Sequence, residues 1–282
     1  MVIQQLRGLA EGVAYSTLEE TIRFRGVLPG RAELRPSFMI VGGQRCGTTS
    51  LQKYLQSHPD FAAPARKEIH YFDKNYFRGD DWYWAHFPQD RPNRFTGDAT
   101  PYYLFHPLAP QRAAATLPDA KIVLLLRDPV DRARSHHRHA FAKGHETLSL
   151  ADAIAAEPGR LAGEEEKLIA DPKYLSPNHQ HNSYMSRGRY IDQLMAWDAL
   201  FPKERILVLV SEELFADPQA QLNRLTDFLE VERFELGEAK VYNTYKKKAT
   251  ADELLDKMAE SFAESNQRLF DYLGRDLDWR KP

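Results

Sequence analysis

One strand-to-loop-to-helix passage constrains this chain more than any other: "FMIVGGQRCGTTSLQKYL", Phe38 to Leu55. An apolar run meets Gly42 and Gly43, a basic loop follows, and Gly47 opens onto two threonines and a helical pattern. Such a turn belongs at the C-terminal end of a strand in a parallel sheet, where open α/β folds bind their ligands. The pattern is close to the phosphate-binding loop G-x-x-x-x-G-K-[ST]. Gly42, Gly47 and Thr49 fit it, but Thr48 stands in the lysine position and Arg45 puts the cation mid-loop. The glycines let backbone N–H groups approach an anion, the helix from about Thr48 adds its positive end, and Thr48 and Thr49 add hydroxyls. A cation so displaced misses the γ-phosphate position and suits a shorter anionic chain.

The remaining pattern predicts the sheet around this loop. "KIVLLLR" (121–127) and "RILVLV" (205–210) are continuous apolar runs, as in strands covered on both faces. Between them lie helical patterns. These are 48–57, "DDWYWAHFP" with Asp80 or Asp81 as N-cap, "PLAPQRAAATLP", 129–142 with Asp128 as N-cap and Pro129 at its first position, 183–200, "DPQAQLNRLTDFLE", and 251–273 closed by Gly274. Residues 144–180 predict one or two helices, with Glu164–Glu166 as a solvated face. Alternating strands and helices imply an α/β, P-loop-like three-layer fold with a central parallel sheet and helices on both faces. Residues 1–35 read as a partly helical extension and 36–282 as a single domain.

Composition narrows the function classes. The chain has 282 residues, 43% of them hydrophobic, enough for a sizeable core. A formal net charge of −2 argues against a nucleic-acid partner. Cys46 is the only cysteine, so no intramolecular disulfide is expected. The N-terminal residues lack the form of a signal peptide, and no run reaches the ~18 apolar residues of a membrane span. A soluble, cytoplasmic protein without a membrane span is the expectation.

A second anchor is "LLLRDPVDRARSHH": a buried strand ends in Arg127, and Ser135 follows two helical turns later. A strand-end arginine is a good phosphate fork, so this pair suggests a second phosphate group. A triphosphate enzyme would more often place an acidic magnesium ligand here; Asp128, before proline, suits an N-cap better.

"VGGQRCGTTSLQKYLQSHP" and "LLLRDPVDRARSHHRH" resemble the two nucleotide-binding signatures of the PAPS-dependent sulfotransferases, closest to the heparan sulfate sulfotransferase-like branch and its bacterial relatives. The likeness continues through "KEIHYFD", "GDATPYYLFHP", "SRGRYIDQLMAW", "RILVLVSEEL" and "NQRLFDYLG". It implies PAPS (3′-phosphoadenosine 5′-phosphosulfate) as donor, PAP as product and no metal. The loop residues Gln44, Arg45, Cys46, Gly47, Thr48, Thr49 and Ser50 would hold the 5′-phosphosulfate, and Arg127 with Ser135 the 3′-phosphate. Arg187 and Tyr190 fall in a segment that abuts the nucleotide in relatives, and Lys246, Lys247 and Lys248 match a basic lid.

The resemblance also implies a mechanism. Glu68 would be the base, with Arg45 and His139 as further catalytic candidates, Arg45 matching a position that usually carries lysine. Glu68 in an aromatic surround is expected to have a raised pKa. Lys67, His70, Asp98 and Tyr102 would face the acceptor, a small molecule or glycan; Trp82 and Trp84 read as core. The clustered histidines 136, 137, 139, 179 and 181 lack a completing carboxylate or cysteine at metal-ligand spacing. The alternatives are a P-loop small-molecule kinase and a nucleotide-binding module without catalysis.

Overall fold

A computed structural model describes residues 33–237 and 252–279. The first strand and helix are β1 (Phe38–Ile40) and α1 (Thr48–Leu55). A π-turn (Tyr71–Asn75) and a 3-10 turn (Tyr76–Arg78) lead to α2 (Asp80–Trp84). Then come β2 (Gly97–Ala99), α3 (Ala109–Thr116), β3 (Lys121–Leu126), α4 (Pro129–Lys143), α5 (Leu150–Leu161), α6 (Glu164–Ala170) and α7 (Pro177–His181). The chain continues with α8 (Tyr190–Asp198), β4 (Ile206–Val210), α9 (Ser211–Ala216), α10 (Pro218–Leu229) and α11 (Asp252–Leu273). The strands form one parallel sheet in the order β2-β1-β3-β4, with Ile40 opposite both Ala99 and Val123.

The side-chain period of two divides each strand between two cores. Met39, Ile122, Leu124 and Leu126 pack with Leu194, Trp197, Leu269 and Phe270 on one face. Phe38, Ile40, Val123 and Leu125 pack with Leu51, Leu55, Leu222 and Leu225 on the other. This is the three-layer α/β fold expected from the continuous apolar runs. Gly42 owes its identity to packing as much as to any ligand. A Cβ there would lie 2.2 Å from Leu125 N, and the Gly43 N–H extends the sheet to Leu125 O at 3.0 Å.

Several local expectations change. β2, "GDA", has no strand signature and forms through its pairing with β1. The helix expected over 183–200 is broken, with a 3-10 turn at Ser186–Gly188 before α8. The N–H groups of Tyr184, Met185 and Ser186 are bound instead by the Glu157 carboxylate, at 2.7–2.8 Å. Three helices, not one or two, occupy 144–180. Glu164 is buried rather than solvated, accepting from the Tyr174 and Ser176 hydroxyls and pairing with Lys167. Asp80 does not cap α2: Gly79 holds the N-cap position, without a side-chain bond, and the Tyr71 hydroxyl donates to Asp80 at 2.6 Å. Asp128 caps α4 as expected, accepting from the N–H groups of Val130 and Asp131.

Candidate active site

β1, β3 and the segment after α1 deliver their functional side chains to one edge of the sheet. The loop 41–47 ends at Gly47, the left-handed N-cap of α1, and no side chain caps that helix. Its first turn therefore offers backbone donors and a positive end toward the cleft. Arg45 has a left-handed backbone, φ 73, and its Nε donates to Ser135 Oγ at 3.1 Å. Arg127 Nη1 donates to Arg45 O at 3.3 Å, and its Nη2 lies 3.7 Å from Asp131. The loop and the strand-end arginine thus meet in one continuous basic surface.

The segment "KEIHYFD" crosses in front of this loop. Lys67 Nζ donates to Thr49 Oγ1 at 3.0 Å and to Glu68 Oε1 at 2.8 Å. Glu68 and His70 both adopt φ 57, a strained region for non-glycine residues that tends to cluster at functional sites. His70 Nε2 stands 3.7 Å from Glu68 Oε2, and its Nδ1 is 2.6 Å from Asp73 Oδ2. Burial pulls His70 down, but the buried Asp73 carboxylate outweighs it and lifts it to about 9. Burial pushes Glu68 up, but the His70 hydrogen bond and the Lys67 charge outweigh it and hold the carboxyl at about 2. This corrects the expected raised value: two cations, Lys67 and His70, stand beside the carboxylate. Glu68 is 43% exposed at the side chain, open to the cleft. His139 lies one turn beyond Ser135 on α4, and burial together with Arg45 lowers its pKa.

Other expected contacts have no free surface. Asp98 is fully buried in β2 and accepts from the hydroxyls of Thr100 at 2.8 Å, Tyr103 at 2.8 Å and Tyr83 at 3.3 Å. Its expected place beside the acceptor is corrected to a core hub, where burial raises it to about 6. Cys46 and Ser50 are fully buried; the thiol packs 3.8 Å from Tyr190 Oη, and burial pushes it up to about 11. Tyr190 is buried and donates to Arg127 O at 2.9 Å, so it props the strand end from beneath.

Arg187 is also buried. It donates to Ser183 Oγ, His179 O and Gln180 O, and its Nη1 holds Gln44 Oε1 at 2.9 Å. It orients Gln44 instead of reaching the cleft. Tyr102 lies under the Arg187 guanidinium, 4.8 Å from ring centroid to Cζ, and its Oη is 2.7 Å from His179 Nδ1. Asp73, which fixes His70, was legible only as the last residue of its motif. Lys246, Lys247 and Lys248 lie outside the described residues, as does most of the 1–35 extension.

The sulfotransferase domain family model matches residues 35–281, and the chain belongs to that family. It is a sulfotransferase, an enzyme that moves a sulfuryl group. Among curated proteins it is similar to the membrane-associated sulfotransferase kil1 of Dictyostelium discoideum, 27% identical over 89% of this chain and 68% of that one. It is also similar to the human heparan sulfate glucosamine 3-O-sulfotransferase 6, 28% identical over 89% of this chain and 75% of that one. Among solved structures, a sulfotransferase from Alicyclobacillus acidocaldarius superposes with a TM-score of 0.72 at 31% identity, covering 86% of this chain and 97% of that one. Among the described residues no helix is long and apolar enough to cross a membrane.

Proposed function

We propose that the chain transfers the sulfuryl group of PAPS to a hydroxyl or amine of a carbohydrate, lipid or other small acceptor, in line and with Glu68 as base. The observation that carries this reading is the junction at Arg45. One residue of the phosphate loop is bonded to both members of the second anchor, Ser135 through its side chain and Arg127 through its carbonyl. A donor with phosphate groups on both sides of an adenosine fits such a surface. The 5′-phosphosulfate lies over Arg45, Thr48 and Thr49, and the 3′-phosphate at Arg127 and Ser135.

Lys67 connects donor and base. It is shared between Thr49 and Glu68, so an arriving phosphosulfate competes with Glu68 for the ammonium. Losing that partner raises Glu68 toward a useful base, while Lys67 neutralises charge on the leaving phosphate. His70, held by Asp73, keeps the carboxylate in place. The kinase alternative loses its strongest metal ligand, since Asp128 Oδ1 is occupied with capping α4.

Binding of PAP is expected to raise the melting temperature well above the shift given by ATP with magnesium at equal concentration. A ligand at 100 times its Kd stabilises by about 2.7 kcal/mol. An ATP shift equal to or larger than the PAP shift would overturn the donor assignment.

A further inference from the structure

The guanidinium of Arg187 reaches the phosphate loop from the interior and constrains one of its side chains. Arg187 is 3% exposed. Its Nε donates to Ser183 Oγ at 2.8 Å, and its Nη2 to His179 O at 3.0 Å and Gln180 O at 2.7 Å. The ring centroids of Tyr102 and Phe105 lie 4.8 and 5.0 Å from its Cζ. The segment that carries it is pinned in turn, because the Glu157 carboxylate accepts from the N–H groups of Tyr184, Met185 and Ser186. Nothing in this arrangement leaves the guanidinium room to turn.

Its remaining nitrogen, Nη1, donates to Gln44 Oε1 at 2.9 Å. A guanidinium carries donors and no acceptor, so only the oxygen of the amide can meet it. The Gln44 amide is thereby fixed against a flip, and its NH₂ group is turned away from Arg187. Gln44 is half-buried. Its Nε2 makes no hydrogen bond among the described residues and is not itself buried. The residue stands between Gly43, whose N–H is bound to the sheet at 3.0 Å, and Arg45, whose Nε donates to Ser135 Oγ. The loop therefore presents an oriented, unused amide donor beside its cation.

We infer that Gln44 Nε2 donates to a sulfuryl oxygen of the bound donor, and that Arg187 is the positioning residue that keeps the amide turned to do so. The loop then distinguishes PAPS from its spent product PAP. The inference rests on the PAPS reading above and deepens it. In the transfer, the S–O bond to the 5′-phosphate breaks as sulfur bonds to the acceptor oxygen or nitrogen. The acceptor proton passes to Glu68, and the electron pair of the broken bond stays on the phosphate of PAP. The sulfuryl oxygens leave with the sulfur, so PAP has nothing to offer Gln44 Nε2. These oxygens are acceptors only. An amide free to flip would set its own oxygen against them, and Arg187 excludes that arrangement.

The test is a competitive titration of the full chain with PAPS and with PAP, in the cold and without acceptor, read as the ratio of the two affinities. Gln44→Glu is the discriminating variant. Its carboxylate still accepts from Arg187, now as an ion pair, but it has no N–H to donate. The 5′-phosphate of PAP and the phosphosulfate of PAPS carry similar charge, so the added repulsion acts on both and largely cancels in the ratio. The preference for PAPS over PAP is expected to fall about tenfold or more in Gln44→Glu, and about tenfold in the uncharged Gln44→Met, the worth of a hydrogen bond to a charged group. The melting temperature of free Gln44→Glu should hold or rise, which shows that the Arg187 contact survives. Arg187→Lys keeps the charge but loses the fork, frees the amide to flip and should lower the ratio by a smaller factor. An unchanged ratio in both Gln44 variants would overturn the inference and leave Gln44 as a structural acceptor for Arg187. A ratio lowered in those variants but unchanged in a folded Arg187→Lys would overturn the positioning role. Failure of both PAPS and PAP to bind the unsubstituted protein would bring down the donor reading itself, whereas normal PAP binding with an unchanged ratio defeats this inference alone.

Discussion

Glu68→Gln is expected to lower kcat by about 10²–10⁴, the range for loss of a positioned general base, while leaving PAP affinity unchanged. The side chain keeps its shape and its acceptor oxygen toward Lys67, so the donor cradle survives and only proton removal from the acceptor is lost. A drop of less than about tenfold would remove Glu68 as base, since oriented donor and acceptor alone would then account for turnover. The pH dependence sharpens the test. In the free protein Glu68 sits at about 2 because His70 and Lys67 hold its charge. A saturating donor that draws Lys67 away moves the acid limb of the rate upward, and in Lys67→Met the limb stays fixed whether or not donor is saturating.

The Glu68 and His70 shifts both stabilise the fold, but with opposite pH dependence. The lowered Glu68 contributes stability that is present above its unfolded value near 4.5 and is lost as pH falls toward about 2. The raised His70 contributes stability that is present below about 6.5 and is lost as pH rises through about 9. Both contributions are therefore in force between about pH 5 and 6.5.

Arg127→Ala is expected to weaken PAP about 10–100-fold, the worth of a charge-assisted hydrogen bond to phosphate, and to leave AMP affinity nearly unchanged. Isothermal titration with both ligands reads the difference. The guanidinium lies at the end of β3, one-quarter exposed, and among the described residues its partners are the 3.7 Å Asp131 pair and the Arg45 carbonyl. It can turn to a phosphate without breaking a strong structural bond. An unchanged ratio of PAP to AMP affinity would show that the 3′-phosphate is held elsewhere.

Much of this was legible in the sequence because the parts that carry it are local. The glycine loop, the Asp128-Pro129 helix start and the two apolar runs each declare their structure within a few residues. β2 was not legible. Gly97, Asp98 and Ala99 form a strand because Phe38–Ile40 lies beside them, and a Cβ at Gly97 would meet the Phe38 ring at 2.4 Å. That is a tertiary fact with no local signature. The break at 186–188 depends on Glu157, some thirty residues earlier.

At the site, the motif residues were found, but not which of them reach the cleft. Asp98, Tyr190 and Arg187 carry polar groups that read as contacts; the partners of Tyr190 and Arg187, the Arg127 carbonyl and Gln44, are far away in the chain, and the nearby Tyr103 and Thr100 hydroxyls turn onto Asp98 only because β2 is buried. The expected rise in the Glu68 pKa failed for a related reason. Aromatic neighbours are visible in sequence, while the 3.7 Å approach of His70 depends on two left-handed residues no pattern announces.

A crystal structure of the full chain with PAP tests the central claim most directly. It should show the 5′-phosphate over the N-terminus of α1 and the 3′-phosphate within hydrogen-bond distance of Arg127 and Ser135 Oγ, with Arg45 released from Ser135. PAP bound with its 3′-phosphate in solvent, or away from the 41–47 loop altogether, would contradict it.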